Sequence, residues 1–228
     1  SQSAARPAPG WTIMSGSGLH RHFTFTDNAN APVTPTAGGT FGRWNTAFAT
    51  TAFANVTLQP WSQGTTAFQE RDAFVGLVTA LRANPANLST KVWLYPGFPQ
   101  APAALPVPDT AATFEQVWAA PLPTMTASTA WPRTRAGTVW MKQQVEAAVP
   151  GVEVNIVPVG EVLSRLDGAR RATPITRPDP RNPGQNIVYD SVWDLYRDTI
   201  HFGPDQANPA RIEGNYVLAL TMAAELYN

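Results

Sequence analysis

Asp198-Thr199-Ile200-His201, followed later by Gly214-Asn215-Tyr216-Val217-Leu218-Ala219-Leu220, is the stretch on which the reading of this chain turns. The chain has three histidines, and this one stands three residues after an aspartate. The pair sits in a short loop before what reads as the final helix, Ile212 to Tyr227. An aspartate that orients an imidazole, so that the imidazole can take a proton from a hydroxyl, is half of a serine-hydrolase machine. The rest of the chain must then supply a serine and donors for an oxyanion.

Reading back from that block, helical and extended patterns alternate. Val159 to Arg170 reads as a helix after the apolar strand Val152-Glu153-Val154-Asn155-Ile156-Val157. Two further helices are expected over Thr110 to Ala119 and Arg135 to Ala148. Lys91-Val92-Trp93-Leu94-Tyr95 is a strand stopped by Pro96-Gly97. Thr65 to Asn84 carries Phe68, Phe74, Val75, Val78 and Leu81 as one stripe, with Glu70, Arg71 and Arg82 off it. Asn55 to Gln59 reads as a strand, and Phe41 to Ala54 has apolar residues (Phe41, Trp44, Phe48) at helical spacing. The first strand, Trp11-Thr12-Ile13-Met14, runs into the turn Ser15-Gly16-Ser17-Gly18. Thr26 to Gly39, Ala101 to Pro108 and Thr173 to Gly184 are read as loops, and Arg170-Arg171 with the prolines that follow as solvated loop. Strands alternating with helices imply βαβ units and a parallel sheet covered on both faces. The expectation is one α/β domain over residues 1–228, a three-layer α/β/α sandwich without internal repeat or linker.

Composition narrows the chemistry. Sixteen basic and sixteen acidic residues cancel, and charged residues are 14% of the 228. No electrostatic footprint for nucleic acid or an anionic membrane is present. No run of about 20 apolar residues exists, so no membrane span is expected. Cysteine is absent, which excludes disulfides, thiolate metal sites and a cysteine nucleophile. Twenty-two prolines beside 43% hydrophobics and eight tryptophans describe a folded, loop-rich protein. The start, Ser1-Gln2-Ser3-Ala4-Ala5-Arg6-Pro7, is expected to be a mature end left by removal of an export signal, or an edge of the expressed piece. Secreted or periplasmic location is the expectation.

Active sites of parallel α/β sheets lie beyond the carboxyl ends of the strands. Three features fall there by sequence logic: the turn from Ser15 to Leu19, the turn Gln59-Pro60-Trp61, and the loop carrying Asp198 and His201.

At these residues the chain resembles the SGNH (GDSL-like) hydrolase superfamily, single-domain esterases and deacetylases of flavodoxin-like fold. The resemblance runs over nearly the whole chain. The family's nucleophile block, Gly-Asp-Ser after the first strand, corresponds to Ser15-Gly16-Ser17 and makes Ser17 the matching nucleophile. Its terminal block, Asp-x-x-His before the last helix, matches Asp198-Thr199-Ile200-His201, with Tyr196-Arg197 before it and Gly214-x-Tyr216 after it. Gly38 or Gly39 is nearest to the family's backbone oxyanion donor, with Gly39 preferred. The family's Gly-x-Asn-Asp segment is missing; Gln59 occupies the equivalent place and can donate through its amide. The resemblance implies an exported bacterial esterase that needs no cofactor. It would act on a small-molecule or carbohydrate ester, O-acetyl groups on carbohydrate among them.

Other readings of the same residues stay open. Ser17 in a Ser/Gly-rich turn is also an ordinary turn serine, and Ser15 is the fallback nucleophile if the register is off by two. Asp198 is also a candidate helix cap or a partner of Arg197. His20 and His22 form a His-x-His pair that would face one way in an extended segment, as cleft-lining residues or with His201 as a metal set. Trp61 is a candidate substrate-stacking residue, whereas Trp93, Tyr95 and Phe98 are mostly core. The asparagines of Asn55-Val56-Thr57 and Asn87-Leu88-Ser89 match the glycosylation sequon by chance. Against the esterase stand two alternatives: a decayed fold that binds a glycan or a protein, and a metal-dependent hydrolase.

Overall fold

Val56 and Thr57, β-branched, and the apolar Leu58 give the first strand its extended preference. β1 (Asn55–Leu58) pairs in parallel with β2 (Lys91–Leu94), Asn55 opposite Lys91 and Leu58 opposite Leu94. β3 (Val154–Ile156) completes a three-stranded parallel sheet in the order β1-β2-β3. These are the second, third and fourth strands expected from the sequence. The computed structural model describes residues 19–24, 43–61, 65–103, 107, 110–178, 184–196 and 213–227, without the side chains at 20–22, 213–216 and 226–227. The expected first strand, Trp11 to Met14, lies outside those residues.

The chain forms two compact units, each drawn from three separate stretches. The first comprises Ser1–Leu94, Met125–Trp131 and Met141–Asn155. In it α1 (Leu19–Thr24) and α2 (Trp44–Thr50) pack on the long helix α3 (Ala67–Arg82). Thr66 starts α3 with a capping box: its hydroxyl accepts the Gln69 N–H at 3.2 Å, and Gln69 Oε1 accepts the Thr66 N–H at 2.8 Å. The face α3 buries is Ala67, Glu70, Ala73, Phe74, Leu77, Val78 and Leu81. Two expectations change here. Phe68 and Val75 are only half-buried, and Glu70, read as off the stripe, has no exposed surface. Positions 70, 74, 77, 78 and 81 share one helical face, and a carboxylate whose oxygen meets two N–H donors can be buried there without an orphaned charge.

A 3-10 turn (Pro85–Asn87) follows α3, and its Asn87 is a buried polar knot. Its amide oxygen accepts the Phe53 N–H at 2.8 Å, and its nitrogen donates to the carbonyls of Thr51 at 2.9 Å and Phe48 at 3.2 Å. Asn55 accepts Trp93 Nε1–H at 2.9 Å. Both sequon asparagines therefore serve the fold.

The second unit comprises Tyr95–Thr124, Pro132–Trp140 and Ile156–Asn228. It holds α4 (Phe114–Trp118), the first six residues of α5 (Arg135–Ala148), α6 (Val159–Ala172) and α7 (Glu213–Tyr227). The helix expected from Thr110 begins only at Phe114, where Thr113 makes a second capping box with Gln116. The segment Thr173 to Gly184, expected to be loop, contains β4 (Ile175–Pro178), which pairs antiparallel with β5 (Asn186–Tyr189). Ile175 and Thr176 favour extension, and Pro178 ends the strand where its missing N–H costs no inner ladder bond. Arg170 and Arg171 are likewise not loop but the last turn of α6, where the helix dipole favours cations.

Among the described residues the fold is thus mixed α/β with a parallel sheet of three strands and a separate antiparallel pair. No helix of the described residues is long and apolar enough to cross a membrane.

Candidate functional site

The residues expected to carry chemistry divide sharply in what the structure says of them. Ser17, its fallback Ser15, Gly38, Gly39, Asp198 and His201 lie outside the described residues. Gln59 and Trp61 are described, as is the backbone at His20 and His22. That backbone is helical, Leu19–Thr24, which corrects the extended segment assumed for the His-x-His pair. Positions two apart in a helix are separated by about 200° around its axis, so the shared face expected of a strand is not available. Among the described residues no group of three or more His, Asp or Glu gathers as a metal set.

The segments flanking the expected nucleophile and the expected oxyanion donor are brought together by one atom. Glu70 Oε2 accepts the backbone N–H of Leu19 at 2.8 Å and the backbone N–H of Trp61 at 2.9 Å. Leu19 is the first residue of α1, two residues after Ser17, and Trp61 comes two residues after Gln59. The two nitrogens cannot be farther apart than the two bonds combined, although 42 positions separate them in the chain. Two hydrogen bonds from separate stretches of backbone converge on one buried oxygen, so neither stretch shifts without disturbing the other. Thr65 reinforces it by donating its hydroxyl to the Trp61 carbonyl at 2.9 Å.

Around this junction Leu58 and Pro60 are buried while Gln59 between them is exposed. An exposed amide at the carboxyl end of β1 keeps its N–H groups available to a ligand. Trp61 is half-buried. Trp93 and Tyr95, by contrast, are core residues at 7% and 8% exposure, as the plainer reading of strand-end aromatics holds.

In the second unit, the chain leading toward Asp198 is held in a similar way. Asp167, 2% exposed on α6, accepts the Val192 N–H on Oδ1 at 2.9 Å and the Phe114 N–H on Oδ2 at 3.1 Å. Val192 opens a 3-10 turn (Val192–Leu195), and Phe114 opens α4. Arg171 donates Nε–H to Asp167 Oδ2 at 2.9 Å and supplies the countercharge. Tyr196, next after the turn, is fully buried, and its hydroxyl donates to the Pro99 carbonyl at 2.7 Å. Its ring meets Phe98 edge-on at 5.6 Å and Trp193 at 5.2 Å. Burial pushes the phenols of Tyr196 and Tyr95 above their ordinary range, so both stay protonated at neutral pH. Pro99 follows the turn at Gly97, whose φ of 69° suits glycine.

Sequence reasoning missed Glu70 and Asp167 as organising residues. For Glu70 the signal is its helical register with Phe74, Leu77 and Leu81. For Asp167 it is the spacing of four from both Leu163, fully buried, and Arg171.

The chain matches no protein-family model, no curated protein and no solved structure.

Proposed function

We propose that the chain is a serine esterase of SGNH type, a single hydrolase domain over residues 1–228 with the three-layer flavodoxin-like arrangement of that superfamily. Ser17 is the nucleophile, His201 the general base and Asp198 the residue that orients it. The hydroxyl of Ser17 attacks the ester carbonyl as the imidazole of His201 takes its proton. Collapse of the tetrahedral adduct expels the alcohol, which leaves with that proton. Water, deprotonated by the same imidazole, then cleaves the acyl-enzyme, releasing the carboxylic acid and restoring Ser17. The Gln59 amide and the Gly39 N–H stabilise the oxyanion, each such donor contributing roughly 3–4 kcal/mol to lowering the barrier. Trp61 borders the substrate. The substrate class is a short-chain ester, with O-acetylated carbohydrate favoured, and the setting is extracellular or periplasmic.

The observation that supports this reading is the junction at Glu70. The chain just after Ser17 and the chain just after Gln59 share one acceptor. A nucleophile and an oxyanion donor of one site require that proximity. Turnover of p-nitrophenyl acetate by Ser17→Ala and His201→Ala tests it, with a loss of about 10³-fold or more expected from each. Wild-type-like turnover by either variant removes the triad assignment. A folded wild type that neither turns over the ester nor labels with a fluorophosphonate points instead to a glycan- or protein-binding module. Activity that disappears in EDTA and returns with metal would favour the metal-dependent reading.

A further inference from the structure

We propose that Glu70 is a positioning residue of the esterase: its buried carboxyl joins the backbone at Leu19 to the backbone at Trp61, and so holds the start of α1 against the chain that follows Gln59. The proposal rests on the esterase reading and adds to it a residue that the resemblance does not supply.

Three observations carry it. Glu70 is fully buried, a costly place for a carboxylate unless every lone pair in use is well matched. The two backbone N–H groups it accepts here come not from its own helix but from the first residue of α1, 51 positions away, and from Trp61, 9 positions away. Both bonds end on the same oxygen, Oε2, so neither stretch of backbone can move without straining the other bond. The helix that presents Glu70 is itself fixed, with a capping box at Thr66 and Phe74 and Val78 fully buried beneath it. A carboxylate held this way acts as a rigid gauge between two backbone positions. A catalytic site needs such a gauge, because a misplacement of about 1 Å lowers rate by about 10²-fold. Glu70 touches neither substrate nor the reacting atoms. It acts through the two stretches of backbone that it joins.

The test uses the full chain with p-nitrophenyl acetate as substrate and a fluorophosphonate as the probe of Ser17. Glu70→Gln keeps the shape but turns one of the two acceptor oxygens into an N–H donor, which disturbs the junction. Its kcat is expected to fall about tenfold, with KM changed less than about twofold, and the rate of fluorophosphonate labelling is expected to fall in parallel. Glu70→Ala is expected to lose about 10²-fold in kcat. Gln59→Ala should cost less in the Glu70→Ala background than in the wild type, because the donor is already misplaced. Loss of fold alone does not produce that coupling. Should the Glu70 variants fail to unfold cooperatively, Leu19→Pro deletes one of the two N–H donors at the first position of α1, where proline is tolerated. Its kcat is expected to fall by about tenfold, and a wild-type kcat there overturns the proposal. So does a folded Glu70→Gln with wild-type kcat and labelling rate while Ser17→Ala is dead. An inert wild type overturns the esterase reading first, and this proposal with it.

Discussion

Helices α3 and α6 repeat one device in the two units, with different consequences. Each carries a buried carboxyl that collects two backbone N–H groups from outside its own helix, Glu70 on α3 and Asp167 on α6. Each also carries a glycine on which an aromatic ring of a shorter helix rests. A Cβ at Gly76 would meet Phe23 Cζ at 2.4 Å, and one at Gly160 would meet Trp118 Cε2 at 2.2 Å. The difference lies in what surrounds the device. The Trp118 indole N–H is bonded to Glu161, which Arg135 grips with two bonds of 2.7 and 2.8 Å. Phe23 is held by stacking on Trp44, ring centroids 5.5 Å apart. The second unit is fastened by charge and hydrogen bonds; the corresponding contact in the first is an apolar one beside a backbone junction. Polar fastening makes α6 the more expensive helix to disturb. The backbone junction makes α3 the one nearer to the proposed chemistry.

The largest expected break in that comparison is Asp167→Ala. It strands two buried N–H groups and the Arg171 guanidinium, and should destabilise by about 3–5 kcal/mol in urea unfolding. Glu70→Ala strands two N–H groups, for about 2–4 kcal/mol. An equal or larger loss at Glu70 would show that α3 is the more expensive helix to disturb.

Next in size are the glycines. Gly160→Ala pushes against a ring that is 2% exposed and tethered through its nitrogen, so a cost of about 1–3 kcal/mol is expected. Gly76→Ala meets the far end of a half-buried phenylalanine on a six-residue helix, which can yield. The gain in helix propensity, about 1 kcal/mol, should leave Gly76→Ala near neutral in thermal unfolding. A larger loss at Gly76 than at Gly160 would reverse the ranking of the two contacts.

The smallest effect is the pH dependence of the charged fastening. The Ser164 hydroxyl and then Arg135 hold Glu115 below the ordinary carboxylate range, and Arg135 above all does the same for Glu161. A folded-state pKa below the unfolded one contributes stability that is present above the unfolded value and lost as pH falls through the folded one. Both carboxylates are about half exposed, so the loss should stay under about 1 kcal/mol. Melting temperature compared between pH 7 and pH 3.5 should therefore drop slightly less in Arg135→Ala than in the wild type. An equal drop means that this network does not contribute.

The regular elements were largely legible in the sequence. The helix at 135–148 and the strands around 55, 91 and 154 announce themselves by apolar period, and Pro96-Gly97 marks where β2 stops. The antiparallel pair of β4 and β5 was hidden because the prolines at 178, 180 and 183 speak for loop, whereas the pairing that makes strands is supplied by Asn186–Tyr189. Helix α4 starts late because Thr113 offers the cap, and propensity alone does not choose among candidate caps.

For the site, residue types and the local Asp-x-x-His interval nominated Asp198 and His201, because acid–base chemistry restricts which side chains can serve, whereas Ser17 and Gln59 were nominated by the resemblance. Sequence also determined the period of α3, and with it the face on which Glu70 stands. That this face meets Leu19 and Trp61 was decided only by the tertiary structure. A buried carboxylate is tolerable only where donors converge on it, and here those donors are backbone N–H groups, which every non-proline residue carries and no side-chain pattern reveals.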